Sequence, residues 1–539
     1  MKKLKFKNIL MLVTAFIMSF QCYSQHHLVL SGGTKINVSP GTTLSEPGNL
    51  SMNSGSAFEL SGKLTVEGTF TNSAGIPGFT LISNASNTGS LIEGTGIGAT
   101  IQRFITRGVY HYLSSPVGAQ AISILQTGTA HTDFDLFWYD EDNSGGQGPL
   151  WIDASEQTGN MEVGLGYGYT YNVADRTIGF TGTTNAGTIE VPVSYTYDAN
   201  VSTSSWYFGW NIIGNPYPSK LDANAFIDDA DNSDIYGTIY YWAEAAEFSG
   251  SQNDYASWNK TGCIAGGCGS APTDCIELGQ AFLVHTTQPS GLVKFKDNMR
   301  VHDAANFYKT PVQRFKMAVS NTTGNYNEIL IGFLDGATNK YDNKYDGCKL
   351  KGNTNLALYT KLVEDDGKDY AIQALAPLTD GVTVKAGVDA GTPGFFTFRV
   401  VNIESFNDTT SILLEDLAEK TVVNLRENPE YHFAINNPGA VTDRFLLHFN
   451  TSAVGMEEIE WSDQPLVYVS NGRIIIKSQH ESDAFQVEVF DVIGRSVPFS
   501  MVTDPNQTTI TLKGKIGIYI IKIRQNKHFF TKKVYWKGD

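Results

Sequence analysis

Apolar and polar residues alternate over short stretches through most of this chain, and glycine, asparagine, serine or proline ends nearly every stretch. A period of two punctuated by turn formers predicts β-strands rather than helices. The pattern is plainest near the C-terminus. Arg473–Lys477 and Phe485–Val489 alternate, Thr509–Leu512 follows, and Gly517–Ile523 is the strongest run. A polar turn at Gln525-Asn526-Lys527 then leads into Phe529–Tyr535. Several short strands at this spacing predict a small Ig-like β-sandwich over residues 466–539.

Earlier stretches differ in length and content. Between residues 25 and 100 the alternation comes in pairs, Leu28/Leu30, Ile36/Val38, Leu50/Met52, Phe58/Leu60 and Leu64/Val66, separated by small polar turns. Strands this short predict β-solenoid-like repeats, which bury their faces only by stacking and need a cap at the end. Residues 101–309 form an aromatic-rich β module holding six of the eight tryptophans. Residues 310–451 read as a β-sandwich module, with strands at Glu328–Phe333, Gly394–Val400 and Phe445–Phe449. Residues 452–465, acidic at Glu457-Glu458-Ile459-Glu460, are the expected linker to the last domain. The fold class expected is therefore all-β and multidomain.

Residues 1–24 have the layout of a signal peptide. Four lysines precede an apolar run from Ile9 to Phe20, and Cys22 and Ser24 put small residues at −3 and −1 of a cut before Gln25. No later stretch is apolar enough for a transmembrane helix. Charge then separates the tail from the body. Residues 466–539 carry 11 basic and 6 acidic side chains, whereas residues 25–465 carry a net charge of −25. Such asymmetry marks a segment with a partner of its own, and the acidic body argues against nucleic acid.

The tail's residues resemble a known family. Val489–Arg495 with its Gly494-Arg495 pair, then Gly517-Ile518-Tyr519, then Lys532-Lys533-Val534, resemble the C-terminal sorting domain (type A or a close relative) of type IX secretion cargo in Bacteroidetes. The resemblance implies that Gly494, Arg495, Gly517, Tyr519, Lys532 and Lys533 belong to a sorting signal. It also implies that the type IX machinery is the partner, and that the protein reaches the outer-membrane surface or the extracellular space by way of the periplasm. Tyr110–Val117, Gly166–Tyr169 and Trp210–Pro218 likewise resemble a module common in secreted Bacteroidetes proteins, with which no activity is associated.

Candidate chemistry is sparse. Cys263, Cys268 and Cys275 share one loop, with four and six residues between them, which matches no zinc pattern. An oxidising destination predicts one disulfide within that loop, with Cys348 paired or buried. The acidic runs Asp140–Gly146 and Asp228–Asp234 offer oxygen donors to calcium but lack the full ligand spacing, so solvated turns are expected there and no cofactor. Trp138, Trp151, Trp206, Trp210, Trp242 and Trp258 could stack on sugar rings, though strands in a sandwich ordinarily bury such rings. No serine elbow, zinc-protease helix, Cys-x-x-Cys or phosphate loop occurs.

The function expected from sequence is that of a non-enzymatic secreted or surface protein, adhesive or structural. The alternative is a carbohydrate-binding or polysaccharide-degrading protein that uses the tryptophan-rich module. Deleting residues 467–539 is expected to leave the protein in the periplasm. Surface labelling of cells expressing the truncated chain checks this, and undiminished surface signal would refute it.

Overall fold

A computed structural model describes residues 27–142, 148–202, 204–244, 254–267, 271–303, 312–379, 381–450, 466–470, 472–477, 486–491, 495–504, 507–513, 515, 517–525 and 528–536. The expected leader and the linker lie outside these residues. The chain divides into two compact units, one up to residue 451 and one from residue 452. Both are built from strands, as expected. The single α-helix among the described residues is the short Ala223–Asp228, capped by the Asp222 carboxylate on the amides of Asn224 and Ala225.

The first unit begins as a β-solenoid. Leu28 pairs in parallel with Leu50, and Leu50 with Phe70. A second face runs from Phe58 to Phe79, and a third from Leu44 through Leu64 to Leu91. Inward residues of successive coils stack into one apolar column that includes Leu50, Met52, Leu60, Leu64, Leu81 and Leu91. The Phe58 and Phe79 rings stack at 5.2 Å. Coil length varies, from 20 residues between Leu50 and Phe70 to 27 between Leu64 and Leu91, which hides the repeat from a search for a fixed period.

The stack is closed by the chain that follows it. The strand Gly98–Ile105 runs parallel to Phe79–Leu81 on one side and antiparallel to Arg176–Thr183 on the other. Strands on both sides of residue 100 thus share one sheet. Arg300 ties the two regions again. Its side chain is fully buried, donates to the Leu91 and Glu93 carbonyls, meets Asp297 at 3.0 Å and lies over the Tyr217 ring.

Two sheets carry the aromatic residues. One joins His111–Leu113, Tyr167–Tyr171, Phe134–Asp140 and Leu150–Asp153 in that order. The other orders Trp210–Gly214, Ala281–His285, Ile239–Ala243, Asp254–Asn259 and Gly262–Ile264. Beyond them lies an 11-stranded sheet spanning Gln313 to Asn450. It doubles over, so that Phe315 and Phe449, on strands well separated in the sheet order, touch at 5.4 Å. A single sheet curled on itself thus provides both layers of the expected sandwich.

The loop from Asp342 to Gly352 binds that sheet to the aromatic ones. Asn259 Nδ2 donates to the Tyr345 carbonyl, Thr238 Oγ1 to that of Asp346 and Tyr240 OH to that of Cys348. At its centre is a fully buried ion pair, Lys349 Nζ to Asp254 Oδ2 at 2.6 Å. The same carboxylate accepts Asn327 Nδ2 and the amides of Tyr255 and Gly352. Asp346 is also buried, its two oxygens accepting the amides of Ala374 and Asp342. Burial, helped by the charges of Asp342 and Asp366 and opposed by the two amides, raises its pKa to about 7.

The second unit is a small sandwich with its own core. Leu466–Ser470, Arg473–Lys477, Gln507–Leu512 and Phe499–Asp504 form one sheet, and Gln486–Asp491, Gly517–Gln525 and His528–Trp536 the other. Ile474, Ile476, Val489, Ile510, Ile521 and Ile523 fill the space between them. Trp536 Nε1 donates to the Gly472 carbonyl, so the last strand of one sheet is fastened to a turn of the other.

Two stability predictions follow from the loop. Lys349→Met leaves the Asp254 charge buried without its partner and is expected to cost roughly 3–5 kcal/mol. Adding Asp254→Asn is expected to recover most of that loss, and a double-mutant cycle in urea checks it. Equal losses in the single and double variants would refute the coupling. For Asp346, the native state keeps a proton to about pH 7 that the unfolded chain releases near its ordinary value of 3.8. Stability therefore falls as pH rises between those two values. Asp346→Asn is expected to remove that slope and gain roughly 3 kcal/mol relative to wild type between pH 5 and pH 8. Denaturation at the two pH values measures it.

Candidate ligand-binding site

The two aromatic sheets meet at a recess of about 320 Å³. Alternation along Phe134–Asp140 turns Phe134 and Leu136 to the core and leaves Phe137 facing the recess. Trp151 pairs with Tyr139 on the adjacent strand, with ring centres 5.4 Å apart. Gly168 lies beneath Trp151, and a Cβ there would come within 3.0 Å of the indole. The missing side chain is what lets this ring lie close over the strand. From the other sheet come Trp242 and its cross-strand partner Tyr255, with rings 5.1 Å apart. Tyr112 and Tyr255 touch through their hydroxyls at 3.2 Å, joining the two walls.

One carboxylate orders this wall. Glu244 Oε2 accepts Trp242 Nε1 at 3.2 Å and the Tyr110 amide at 2.7 Å. Burial first, with Glu244 among the lesser causes, pushes the Tyr110 and Tyr112 phenols upward, so both stay neutral. A second recess of about 420 Å³ shares Trp151 and Tyr255 with the first and adds Tyr139, Trp206 and Lys351. Trp206 stacks on His285 at 3.9 Å, Lys368 sits over its ring, and its Nε1 is buried without a hydrogen-bond partner. Burial lowers the His285 pKa to about 3, which keeps the imidazole neutral, and its Nε2 donates to the Phe208 carbonyl. The two recesses adjoin at Trp151 and Tyr255, and together they set half-buried aromatic side chains beside polar groups.

The six tryptophans thus divide between roles. Trp258 is buried and Trp138 packs on the core, whereas Trp151, Trp206 and Trp242 line the recesses and the buried Trp210 adds an edge to the second. Trp206 and Trp210 meet edge to face, at 89°. Tyr255 and Glu244 carried no signal of their own in the sequence, because their roles arise from pairing across sheets.

Other candidate residues are placed differently. Cys263, Cys275 and Cys348 are free thiols, so no bridge joins any two of them. The reason is placement. Cys263 faces Trp258, Cys275 faces Asp222 and Cys348 faces Tyr370, each on a different strand. Cys268 lies outside the described residues. Burial lifts the Cys275 thiol to about 11 and the Cys348 thiol to about 12, which leaves both unreactive at neutral pH.

In the second acidic run, lysines already pair with several carboxylates. Asp228 pairs with Lys260 and Lys344, and Asp231 with Lys294 and Lys296. Glu141 turns inward to accept the amides of Thr196 and Gly209, and part of its run lies outside the described residues. No cluster of three or more His, Cys, Asp or Glu side chains suited to a metal occurs among the described residues.

In the tail, Gly494 lies outside the described residues. Arg495 Nε donates to the Asp491 carboxylate at 2.8 Å. Gly517 opens a strand opposite Trp536, and Tyr519 is buried with its hydroxyl on the Lys515 carbonyl. Lys532 and Lys533 are exposed on the last strand.

Comparison with known families agrees with this division. Residues 470–537 match the secretion system C-terminal sorting domain. The protein is therefore type IX secretion cargo, exported to the cell surface or the extracellular space through its tail's interaction with that machinery. No curated protein matches the chain. Residues 24–449 match a single further family model, covering the solenoid, the aromatic sheets and the doubled sheet together. By that match, which spans more than three quarters of its length, the chain belongs to the family described as domain of unknown function DUF8693.

Proposed function

We propose that this exported protein is a non-enzymatic carbohydrate-binding protein, and that adhesion is what the binding serves. The observation that carries the reading is the cleft in which Trp151 and Tyr255 join two aromatic-lined recesses. Sugar rings present flat apolar faces edged by hydroxyls. An aromatic floor takes the faces by burying apolar area, and interspersed donors and acceptors take the edges. The Tyr112 and Tyr255 hydroxyls and Lys351 are placed for the second task.

Glu244 holds Trp242 and the Tyr110 amide, a positioning role that favours binding over turnover. Cleavage of a leader before Gln25 and passage through the periplasm complete the route we propose. Two adjoining recesses favour an oligosaccharide over a single sugar.

Trp151→Ala, which removes the ring common to both recesses, is expected to weaken oligosaccharide binding by roughly 30-fold or more, as loss of a central aromatic anchor does. Lys385→Ala, on the doubled sheet and outside the cleft, is expected to leave that binding unchanged. A glycan array followed by calorimetry on the best ligand measures both. Silence across neutral and acidic glycans, or unchanged affinity in the Trp151 variant, would overturn the reading.

A further inference from the structure

A second site lies where the solenoid meets the strands after it, and it does not depend on the aromatic cleft. Along Gly98–Ile105 every other residue faces the core, and Ala99, Ile101 and Ile105 are buried. The remaining position of that face is Arg103. Its Nε is buried with no hydrogen-bond partner, and among the described residues no ion pair engages the guanidinium. Burial pulls its pKa down, with Glu277 the opposing influence.

Arg103 lines a recess of about 410 Å³, together with Lys63, Lys220, Glu277, His302 and Asp303. The other charges there cancel. Lys63 pairs with Asp303, and Lys220 Nζ meets Glu277 at 2.8 Å. His302 is neutral, held near pKa 4 chiefly by burial, with its ring nitrogens against Ser90 Oγ and Thr65 Oγ1. One positive charge is left uncompensated. The rest of the lining sets Ser61, Asn84, Ser86, Asn87 and Thr88 beside Ala85 and Phe104.

A buried donor without an acceptor costs a fold stability. Arg103 carries one at Nε while its half-buried guanidinium stands on the core face of a strand at the wall of a recess of small-molecule size, where a ligand would complete its bonding. We propose that the recess binds a carboxylate-bearing, polyhydroxylated ligand, of the chemical class of a uronic acid, through Arg103. The planar guanidinium matches a carboxylate in a two-point contact. The single free charge and the flanking Glu277 and Asp303 favour a monoanion over a dianion. The serine, threonine and asparagine wall suits hydroxyls.

The test uses the full chain, with sodium glucuronate, glucose and sodium sulfate as probes, read by thermal unfolding and calorimetry. Glucuronate is expected to bind and raise the unfolding temperature, while glucose and sulfate do neither. Arg103→Met and Arg103→Gln are expected to weaken glucuronate binding by about 10–100-fold. Both are expected to unfold, without ligand, at or above the wild-type temperature, because each removes the stranded charge. Arg103→Lys keeps the charge without the fork and is expected to fall between. The proposal is overturned if glucuronate has no effect on the wild type, if both neutral variants keep their response, or if sulfate acts as strongly as glucuronate.

Discussion

The first unit depends on a carboxylate taken out of water and given everything it needs. Asp254 accepts a lysine, an asparagine side chain and two backbone amides, and neither its side chain nor that of Lys349 is exposed beyond 2%. An ion pair buried this deeply contributes little net stability, since desolvation offsets most of the attraction. What it contributes is position. Asn327, on a strand of the doubled sheet, reaches Asp254 with one end and takes the Leu358 amide with the other. A slip between the sheets would strand several polar groups at once, so the two layers have one relative placement.

That placement reaches the cleft directly. Tyr255 follows Asp254 in the chain, and its own amide donates to the carboxylate. Lys349 and Lys351, from the loop held by the same pair, line the second recess. The aromatic walls therefore stand on a rigid polar base, and Gly168 and Glu244 then set how Trp151 and Trp242 lie within them. Preorganised rings lose little freedom when they meet a ligand, which is where affinity is otherwise dissipated.

The limits of reading such a chain are visible in particular residues. Strand positions were legible because a period of two is a property of consecutive residues. The alternation at Phe58/Leu60 and Leu64/Val66 marks buried faces that the solenoid does bury. The tail was legible for a further reason, since its motifs lie close together within one small sandwich. Partnership across the fold was not. The doubled sheet pairs Val382–Ala390 with Gly439–Asn450 and Gln313–Asn321 with Gly394–Glu404, and no local pattern states that order. The acidic run at Asp228 looked like a set of oxygen donors, but the lysines that fill it come from positions 260, 294, 296 and 344. In the cysteine loop, nearness in sequence did not state that Cys263 and Cys275 lie opposite Trp258 and Asp222 on different strands.

Arg103 was legible in principle, as a position where alternation on the core face of its strand is broken by a charge. Its meaning emerges only beside Asp254. Asp254 is fully buried, and Arg103 is half-buried with its Nε out of reach of water. One is surrounded by four donors and has no capacity left, so it serves architecture. The other has a buried donor with no acceptor and an open polar recess in front of it. Burial alone does not separate a structural charge from a functional one. The separation lies in whether the fold itself completes the charge's bonding, and at Arg103 it does not.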